Sequence, residues 1–342
     1  MGKVLSIVIP TYNMEKYLGK CLDSLIIDEK MESLEVLVIN DGSKDGSLSI
    51  AQSYYKKYPN TFKVIDKKNG NYGSCINRGL KEATGKYIKI LDADDYFNKA
   101  ELIQLIDKMK SIDTDVVVTD YQLVSESNTI LANVSFKELL DTDREYNIGN
   151  ILSQVLTDKI QMHAISYRVD FLKNISYIQT EGISYTDQEW VFTPIALATS
   201  LYYIHLYVYN YLIGREGQTM NTEIYDRNSN QLVTLLKSLV CRINTIEIDA
   251  KRRKYLERRI SQLLCKLYQI YIYRKYRNIK ELIDFDTWLK EKDKSIYELA
   301  NQFTLNKYLH FVSYWRKHQN IHCPLLIKIN YKFKQMLLSI KK

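Results

Sequence analysis

Asp92, Asp94 and Asp95 stand within four residues, in the run Asp92-Ala93-Asp94-Asp95. They close the short apolar stretch Tyr87-Ile88-Lys89-Ile90-Leu91, which reads as a buried strand. About three negative charges at the end of one strand repel and raise one another's pKa unless a cation neutralises them. Aspartates at this spacing suit a hard divalent ion that also holds substrate phosphates. The plain structural alternative is an Asx-rich turn ahead of a helix beginning near Lys99. Two upstream loops weigh against that alternative. Pro10-Thr11-Tyr12-Asn13 offers an aromatic ring, and Asn40-Asp41-Gly42-Ser43 offers a carboxylate able to accept an imide proton from a base. Ring, carboxylate and metal site are the parts a nucleoside diphosphate needs.

The elements that must position these loops alternate in type. Val4–Ile9 is an apolar run stopped by Pro10, followed by an amphipathic stretch from Met14 to Ile27. Leu34–Ile39 is a second strand, with a helix from about Asp45 to Tyr58. Phe62–Ile65 is a third, with a helix from Ser74 to Ala83, and the strand ending at the acidic run is the fourth. Strands spaced by helices of about 10–15 residues imply right-handed crossovers and a mainly parallel α/β sheet. Such a sheet is covered on both faces, so its strands are apolar almost throughout. The three loops then arrive at one edge, the carboxyl edge, where open α/β folds bind ligands. Neither G-x-G-x-x-G after the first strand nor G-x-x-x-x-G-K-[ST] is present, which disfavours a dinucleotide oxidoreductase and a P-loop enzyme. Diphosphate charge must be met by a metal and by cationic side chains.

SIVIPTYNMEKYLGKCLDSL, LEVLVINDGSKDGS, NGNYGSCINRGLKEATGKYIKILDADD and YTDQEW occur in an order and spacing that resembles the family 2 glycosyltransferases of GT-A fold, over residues 5–190. The resemblance implies a Rossmann-like nucleotide-diphospho-sugar transferase domain of bacterial glycan-assembly type. It implies that Pro10, Thr11, Tyr12 and Asn13 lie along the uridine of a UDP-sugar donor and that Asp41 reads the base. Asp92 and Asp94 would hold ribose and Mn²⁺ or Mg²⁺, with Ala93 between them and Asp95 as an outer member. Asn71, Gly73, Asn77 and Gly79 would pass the diphosphate-sugar, although Tyr12, Asn77 and Gly79 equally suit packing.

Inverting sugar transfer needs a carboxylate that takes the proton of the attacking acceptor hydroxyl. In the resembled family it is the aspartate of a Glu-Asp pair that starts a helix. The matching position here is Asp187 in Tyr185-Thr186-Asp187-Gln188-Glu189-Trp190, with Thr186 in place of the usual Glu and Glu189 as a fallback. A helix cap at Thr186 or Asp187 is the structural alternative. Beyond a tyrosine-rich strand (Leu201 to Leu212), Arg215 sits in the loop Gly214-Arg215-Glu216-Gly217-Gln218-Thr219, which in similar enzymes folds over the diphosphate. An arginine fork suits that anion, and surface charge is the alternative. Relatives often place a metal-binding histidine in this loop and none stands here, so the third metal ligand is open. His163 and His205, in apolar contexts, read as core or rim residues rather than ligands.

At 342 residues with 46% hydrophobic and 26% charged residues, the chain holds one full globular domain and a smaller second one. Five scattered cysteines without a C-x-x-C indicate a reducing, cytoplasmic setting. The opening Met-Gly-Lys runs directly into the first strand, which predicts no signal peptide. No apolar run reaches the ~18 residues of a membrane span, and Q-x-x-R-W is absent. An enzyme adding one or a few sugars is therefore expected, rather than a processive synthase.

Charge divides the chain. Residues 226–342 hold 25 Lys and Arg against 10 Asp and Glu, a net of +15, and residues 1–225 carry −7. A boundary is expected at Tyr225-Asp226-Arg227-Asn228. It separates a catalytic domain, 1–225 (nucleotide half 1–120, acceptor half 121–225), from a basic helical region, 226–342. There Leu256, Ile260, Leu263, Leu264, Leu267, Ile270 and Tyr271 form one apolar stripe. Arg252, Arg253, Arg258, Arg259, Lys266, Arg274, Lys275 and Arg277 crowd the same stretch, and further helices are expected over Ile279–Leu289, Ile296–Trp315 and Leu325–Ile340. The stripe is core or a homo-oligomer contact. The basic surplus is either a solvated face or an attraction to the inner face of an anionic membrane carrying a lipid-linked glycan acceptor, at about 1 kcal/mol per basic residue. Two competing classes remain: a non-catalytic glycosyltransferase-like partner, and a nucleic-acid binder acting through basic helices with interleaved tyrosines. The intact acidic run and Asp187 disfavour the first, and no nucleic acid is expected. The sugar and the acceptor are not legible; high Lys, Ile, Tyr and Asn usage fits an AT-rich bacterial genome and surface-polysaccharide assembly.

Overall fold

A computed structural model describes residues 2–215, 228–274, 279–304 and 310–318. Ten strands form one sheet: β1 (Leu5–Thr11), β2 (Leu34–Asn40), β3 (Phe62–Asp66), β4 (Tyr87–Ile90), β5 (Tyr96–Phe97), β6 (Val116–Val124), β7 (Ile130–Val134), β8 (Arg144–Asn147), β9 (Ile165–Arg168) and β10 (Ser200–Leu212). Their order is β3-β2-β1-β4-β9-β6-β10-β5, with β7 on β6 and β8 on β10. The nucleotide half, β3-β2-β1-β4, is parallel throughout. Helices α1 (Glu15–Asp23), α2 (Ser47–Lys57) and α3 (Asn71–Glu82) connect its strands, and α4 (Lys99–Ser111) follows β5. Beyond β4 the expectation of a mainly parallel sheet needs correction. β9 runs antiparallel between β4 and β6, β7, β8 and β5 add antiparallel pairs, and only β6–β10 is again parallel, so the whole sheet is mixed. Antiparallel pairing needs no crossover helix, and the helices flanking β9, Gln154–Lys159 and Val169–Asn174, are 6 residues each, too short for a readable helical period.

Every residue of β4 is buried, Lys89 included, as a strand covered on both faces requires. β1 continues through Pro10 instead of stopping there. Val8 accepts from Leu91 N–H (3.0 Å) and Thr11 from Asp41 N–H (2.8 Å). Alternation therefore puts the donor that Pro10 lacks on the β4 side, past the last β1–β4 pair at Val8 and Ile90, where no ladder bond is lost. Helix α3 lies very close on β1, since a Cβ at Gly79 would come within 2.4 Å of Val8 Cγ1. Gly79 is thus a helix–sheet contact, one of the two roles open to it.

The chain divides into two compact units, Met1–Gln218 with Ile248–Tyr255, and Thr219–Glu247 with Leu256–Lys342. In the first, Arg252 donates to Ala198 O (2.9 Å) and Tyr255 to Val191 O. In the second, the helix Ser229–Ile243 is present with no signal having been read for it, and Leu256, Ile260, Leu264, Leu267, Ile270 and Tyr271 are buried as the stripe required. Part of the basic surplus is structural too, for Arg259 is only 4% exposed. The single helix expected over Ile296–Trp315 is instead Lys294–Leu299, a 3₁₀ turn Ala300–Gln302, and Phe311–Lys317, with a bridge between Thr304 and His310. The return brings Arg316 to buried Asp286 (2.7 Å) and over the Tyr297 ring (3.4 Å), and a buried carboxylate needs such a partner. The helix expected over Leu325–Ile340, Lys275, Arg277, most of the 214–219 loop and the boundary at 225–227 lie outside the described residues. Among the described residues no helix is long and apolar enough to cross a membrane.

Candidate active site

The first two loops hold each other. Asn13, in the left-handed region at φ +53°, accepts Lys44 N–H with its side-chain oxygen (2.8 Å) and donates its own N–H to Ser43 Oγ (3.0 Å). Glu15 N–H meets Asp45 (3.0 Å), and Glu15 Oε2 accepts Gly46 N–H (2.8 Å). These reciprocal bonds satisfy donors at the starts of α1 and α2. They give two residues of this loop structural work. Asn13 spends its carbonyl on the second loop, and Thr11 is 1% exposed with its hydroxyl turned to Ile9 O (3.2 Å). Tyr12 is the member left free, 43% exposed.

Asp41 is buried at the end of β2. Its Oδ1 accepts Gly70 N–H (2.9 Å) and pairs with Lys67, which also donates to Ser74 Oγ (2.7 Å) and Lys68 O (3.1 Å). Lys67 was missed in the sequence; a basic pair directly after β3, opposite an acidic loop, was the available signal. The start of α3 also departs from the expected diphosphate role. A Cβ at Gly73 would lie 2.1 Å from Thr180 O, so Gly73 is required by a crossing chain. Asn77 donates to Gln179 O (3.0 Å) and Glu181 (2.8 Å) and accepts Gln179 N–H (2.8 Å). Both residues therefore pin segment 177–182 to α3 rather than facing a ligand. Asn71 takes φ +64°, and the next residue, Tyr72, donates to Asp92 Oδ1 (2.8 Å).

That pinned segment leads to the short helix Asp187–Trp190. Glu189, 1% exposed, accepts Thr180 N–H (2.6 Å) and Thr180 Oγ1–H (2.8 Å) on separate oxygens, which removes it as the fallback base. Thr186 makes no capping bond. Asp187 accepts from Gln188 Nε2 (2.8 Å); burial is the main cause that raises the pKa values of Asp92, Tyr72 and Tyr211, and the charge of Asp187 adds a smaller push to each.

The acidic run divides by partner. Asp95, 1% exposed, accepts Tyr209 O–H (2.6 Å) and Leu212 N–H (2.7 Å) and so ties the loop to β10. Asp94 pairs with Arg215, each side chain 10% exposed, and the guanidinium lies over the Tyr17 ring (5.3 Å). Arg215 is therefore not simple surface charge. Burial and then the charge of Asp94 push the Asp92 carboxyl up to about 7, against the opposing pull of the Tyr72 hydrogen bond and Arg215. Burial followed by Asp94 and Asp92 raises Asp95 well above the carboxylate range.

Two groups beneath this run were not recognised as part of the site. Lys89 is fully buried in β4, donates to the carbonyls of His163 (2.7 Å) and Ile165 (3.3 Å), and is lowered to about 7 by burial. His163, expected as a core or rim residue, stacks on Tyr211 (4.3 Å), meets the Tyr209 edge (4.8 Å), and leaves Nδ1 buried without a hydrogen-bond partner. Burial and then Lys89 lower it to about 3, so the imidazole is neutral. One ligand atom each from Asp92, Asp95 and His163 lie within 4.8 Å of one another. His205 sits at the rim, its side chain 31% exposed, with Nδ1 2.5 Å from buried Asp120. Two carboxyls whose charges repel, a raised pKa at Asp92 and an orphaned imidazole nitrogen together fit a divalent cation.

Comparison with known proteins agrees with this architecture. Residues 6–172 match the family model "Glycosyl transferase family 2". The putative glycosyltransferase EpsH of Bacillus subtilis is 35% identical over 117 residues, 34% of this chain and 33% of that protein. The minor teichoic acid biosynthesis protein GgaB of the same organism is 28% identical over 246 residues, 69% of this chain and 26% of its own length. This chain thus spans about a third or less of the length of these relatives. Among solved structures, residues 1–349 of S. aureus TarS in complex with UDP-GlcNAc match with a TM-score of 0.67 at 19% identity, covering 96% of this chain and 89% of that one.

Proposed function

From a chain that belongs to the family 2 glycosyltransferases and has the GT-A fold, we propose an enzyme that moves a hexose or N-acetylhexosamine from a UDP-sugar to a hydroxyl of a growing glycan, with inversion. Asp41 accepts the uracil imide proton, and Tyr12 flanks the base. Asp92 and Asp94 would hold a divalent cation at the acidic run, which would supply compensation for the charge of the diphosphate. Arg215 engages the diphosphate with its fork. Asp187 takes the proton of the acceptor hydroxyl while that oxygen bonds to the anomeric carbon and the sugar–diphosphate bond breaks.

One observation carries this reading: Asn77 on α3 holds Gln179 (3.0 and 2.8 Å), and Tyr72 at the start of the same helix donates to Asp92 (2.8 Å), so the segment that leads to Asp187 is fastened to the helix that reaches the acidic run about ninety residues upstream. Glu189, two residues on, is consumed in holding the segment, which leaves Asp187 as the carboxylate for chemistry. GgaB acts in teichoic acid biosynthesis and the TarS structure holds UDP-GlcNAc, which favours a UDP-linked donor and a wall or surface polymer as acceptor. No disulfide joins the four described cysteines, and on this reading the enzyme works in the cytoplasm, where the basic helices would meet the inner face of the membrane. The test is a donor panel: with Mn²⁺ and no acceptor, one UDP-sugar should be hydrolysed slowly to UDP. Absence of release from every common UDP-sugar, with the protein folded, would remove the proposal.

A further inference from the structure

The acidic run has its carboxylates in plain view of the sequence, but the group that would complete a cation's shell is not in the loop where relatives often carry one. We propose that His163 supplies an imidazole nitrogen to the divalent cation at this edge, beside Asp92, and thereby makes the site prefer Mn²⁺ over Mg²⁺. The inference rests on the metal-dependent reading above and deepens it.

Three independent observations support it. Ligand atoms of His163, Asp92 and Asp95 already lie within 4.8 Å of one another. The His163 Nδ1 is buried with no hydrogen-bond partner, whereas buried polar atoms ordinarily have one. The ring is also held rather than free: Lys89 fixes the residue's carbonyl (2.7 Å), Tyr211 stacks on one face (4.3 Å), and Tyr209 meets it edge-on (4.8 Å). A ligand fixed by its neighbours loses little entropy when the ion arrives.

The acids around it divide the remaining work. Asp92 accepts the Tyr72 O–H on Oδ1 (2.8 Å), and among the described residues its Oδ2 has no hydrogen-bond partner. Asp95 accepts one bond on each oxygen and therefore braces the loop. Asp94 faces Arg215. Nitrogen in the shell has a chemical consequence: Mg²⁺ demands a near-ideal octahedron of oxygen ligands and dehydrates reluctantly, whereas Mn²⁺, a first-row transition ion at the weak end of its series, is less hostile to one nitrogen donor among oxygens.

The test uses the whole protein with UDP and Mn²⁺, read by pulsed electron paramagnetic resonance. Modulation from a directly bound imidazole nitrogen is expected, and labelling histidine with ¹⁵N should change its frequency, which separates protein nitrogen from uracil. His163→Ala should abolish the signal and cut the ratio of Mn²⁺ to Mg²⁺ affinity at least ~10-fold by calorimetry. Mn²⁺ bound to the unmodified protein with no histidine-nitrogen coupling would overturn this proposal and leave the enzyme reading standing. No Mn²⁺ bound at all in the presence of UDP would overturn both. The labelled unmodified protein decides the matter even if the variant fails to fold.

Discussion

Arg215 and Asp94 form an ion pair in which each side chain is only 10% exposed, although 120 residues separate them along the chain. The guanidinium proposed for the diphosphate thus compensates one of the carboxylates proposed for the cation. Donor binding has to redistribute that pair. Arg215→Ala should weaken UDP by about 1.5–3 kcal/mol, the worth of a charge-assisted hydrogen bond, yet tighten Mn²⁺ measured without nucleotide. Asp94→Ala should lose Mn²⁺-dependent UDP binding and transfer with the fold intact by circular dichroism. Calorimetry giving unchanged UDP affinity in both variants would separate this pair from the donor site.

Asp187→Asn preserves shape and removes the proton acceptor. Transfer should fall ~10²–10⁴-fold with little change in UDP-sugar affinity. An α-linked donor should give a β-linked product by NMR. Near-normal turnover in the variant, or an α-linkage in the product, would point to another residue or to retention.

Asp41→Ala should weaken UDP by about 1.5–3 kcal/mol. It also releases Lys67 and Gly70 N–H, both bound to the same oxygen, so thermal stability should fall as well. Asp41→Asn separates the effects by keeping an acceptor while losing the charge. Equal affinity of the unmodified protein for UDP and CDP would count against Asp41 as the reader of the base.

Lys89 links stability to pH. Its pKa falls from 10.5 to about 7 on folding, so between those values the unfolded chain binds the extra proton. Its contribution is greatest above pH 10.5 and is lost as pH falls towards 7, by up to about 1.4 kcal/mol per pH unit. Lys89→Met removes the titration. Denaturant curves should show the variant gaining on the unmodified protein as pH drops from about 10 to 7; a difference independent of pH would show that Lys89 is charged in the folded state.

Local patterns determined much of this protein. Apolar runs fixed β1 to β4, and the residues that end them, Asn40-Asp41-Gly42-Ser43 and the Asp92–Asp95 run, had to reach one edge once the strands were parallel. Strand period and turn chemistry act over a few residues, so a sequence carries them openly. What each side chain faces across long separations was decided only by the tertiary structure. The passage of segment 177–182 over α3 made Gly73 a crossing point, turned Asn77 into a clamp and consumed Glu189. Antiparallel β9, slotted between β4 and β6, brought the turn before it over Lys89 and set His163 beside Asp92. A lone histidine in an apolar stretch has no period and no neighbour in sequence to announce its role. Its partners lie about seventy residues upstream, and only the packing of the sheet brings them together.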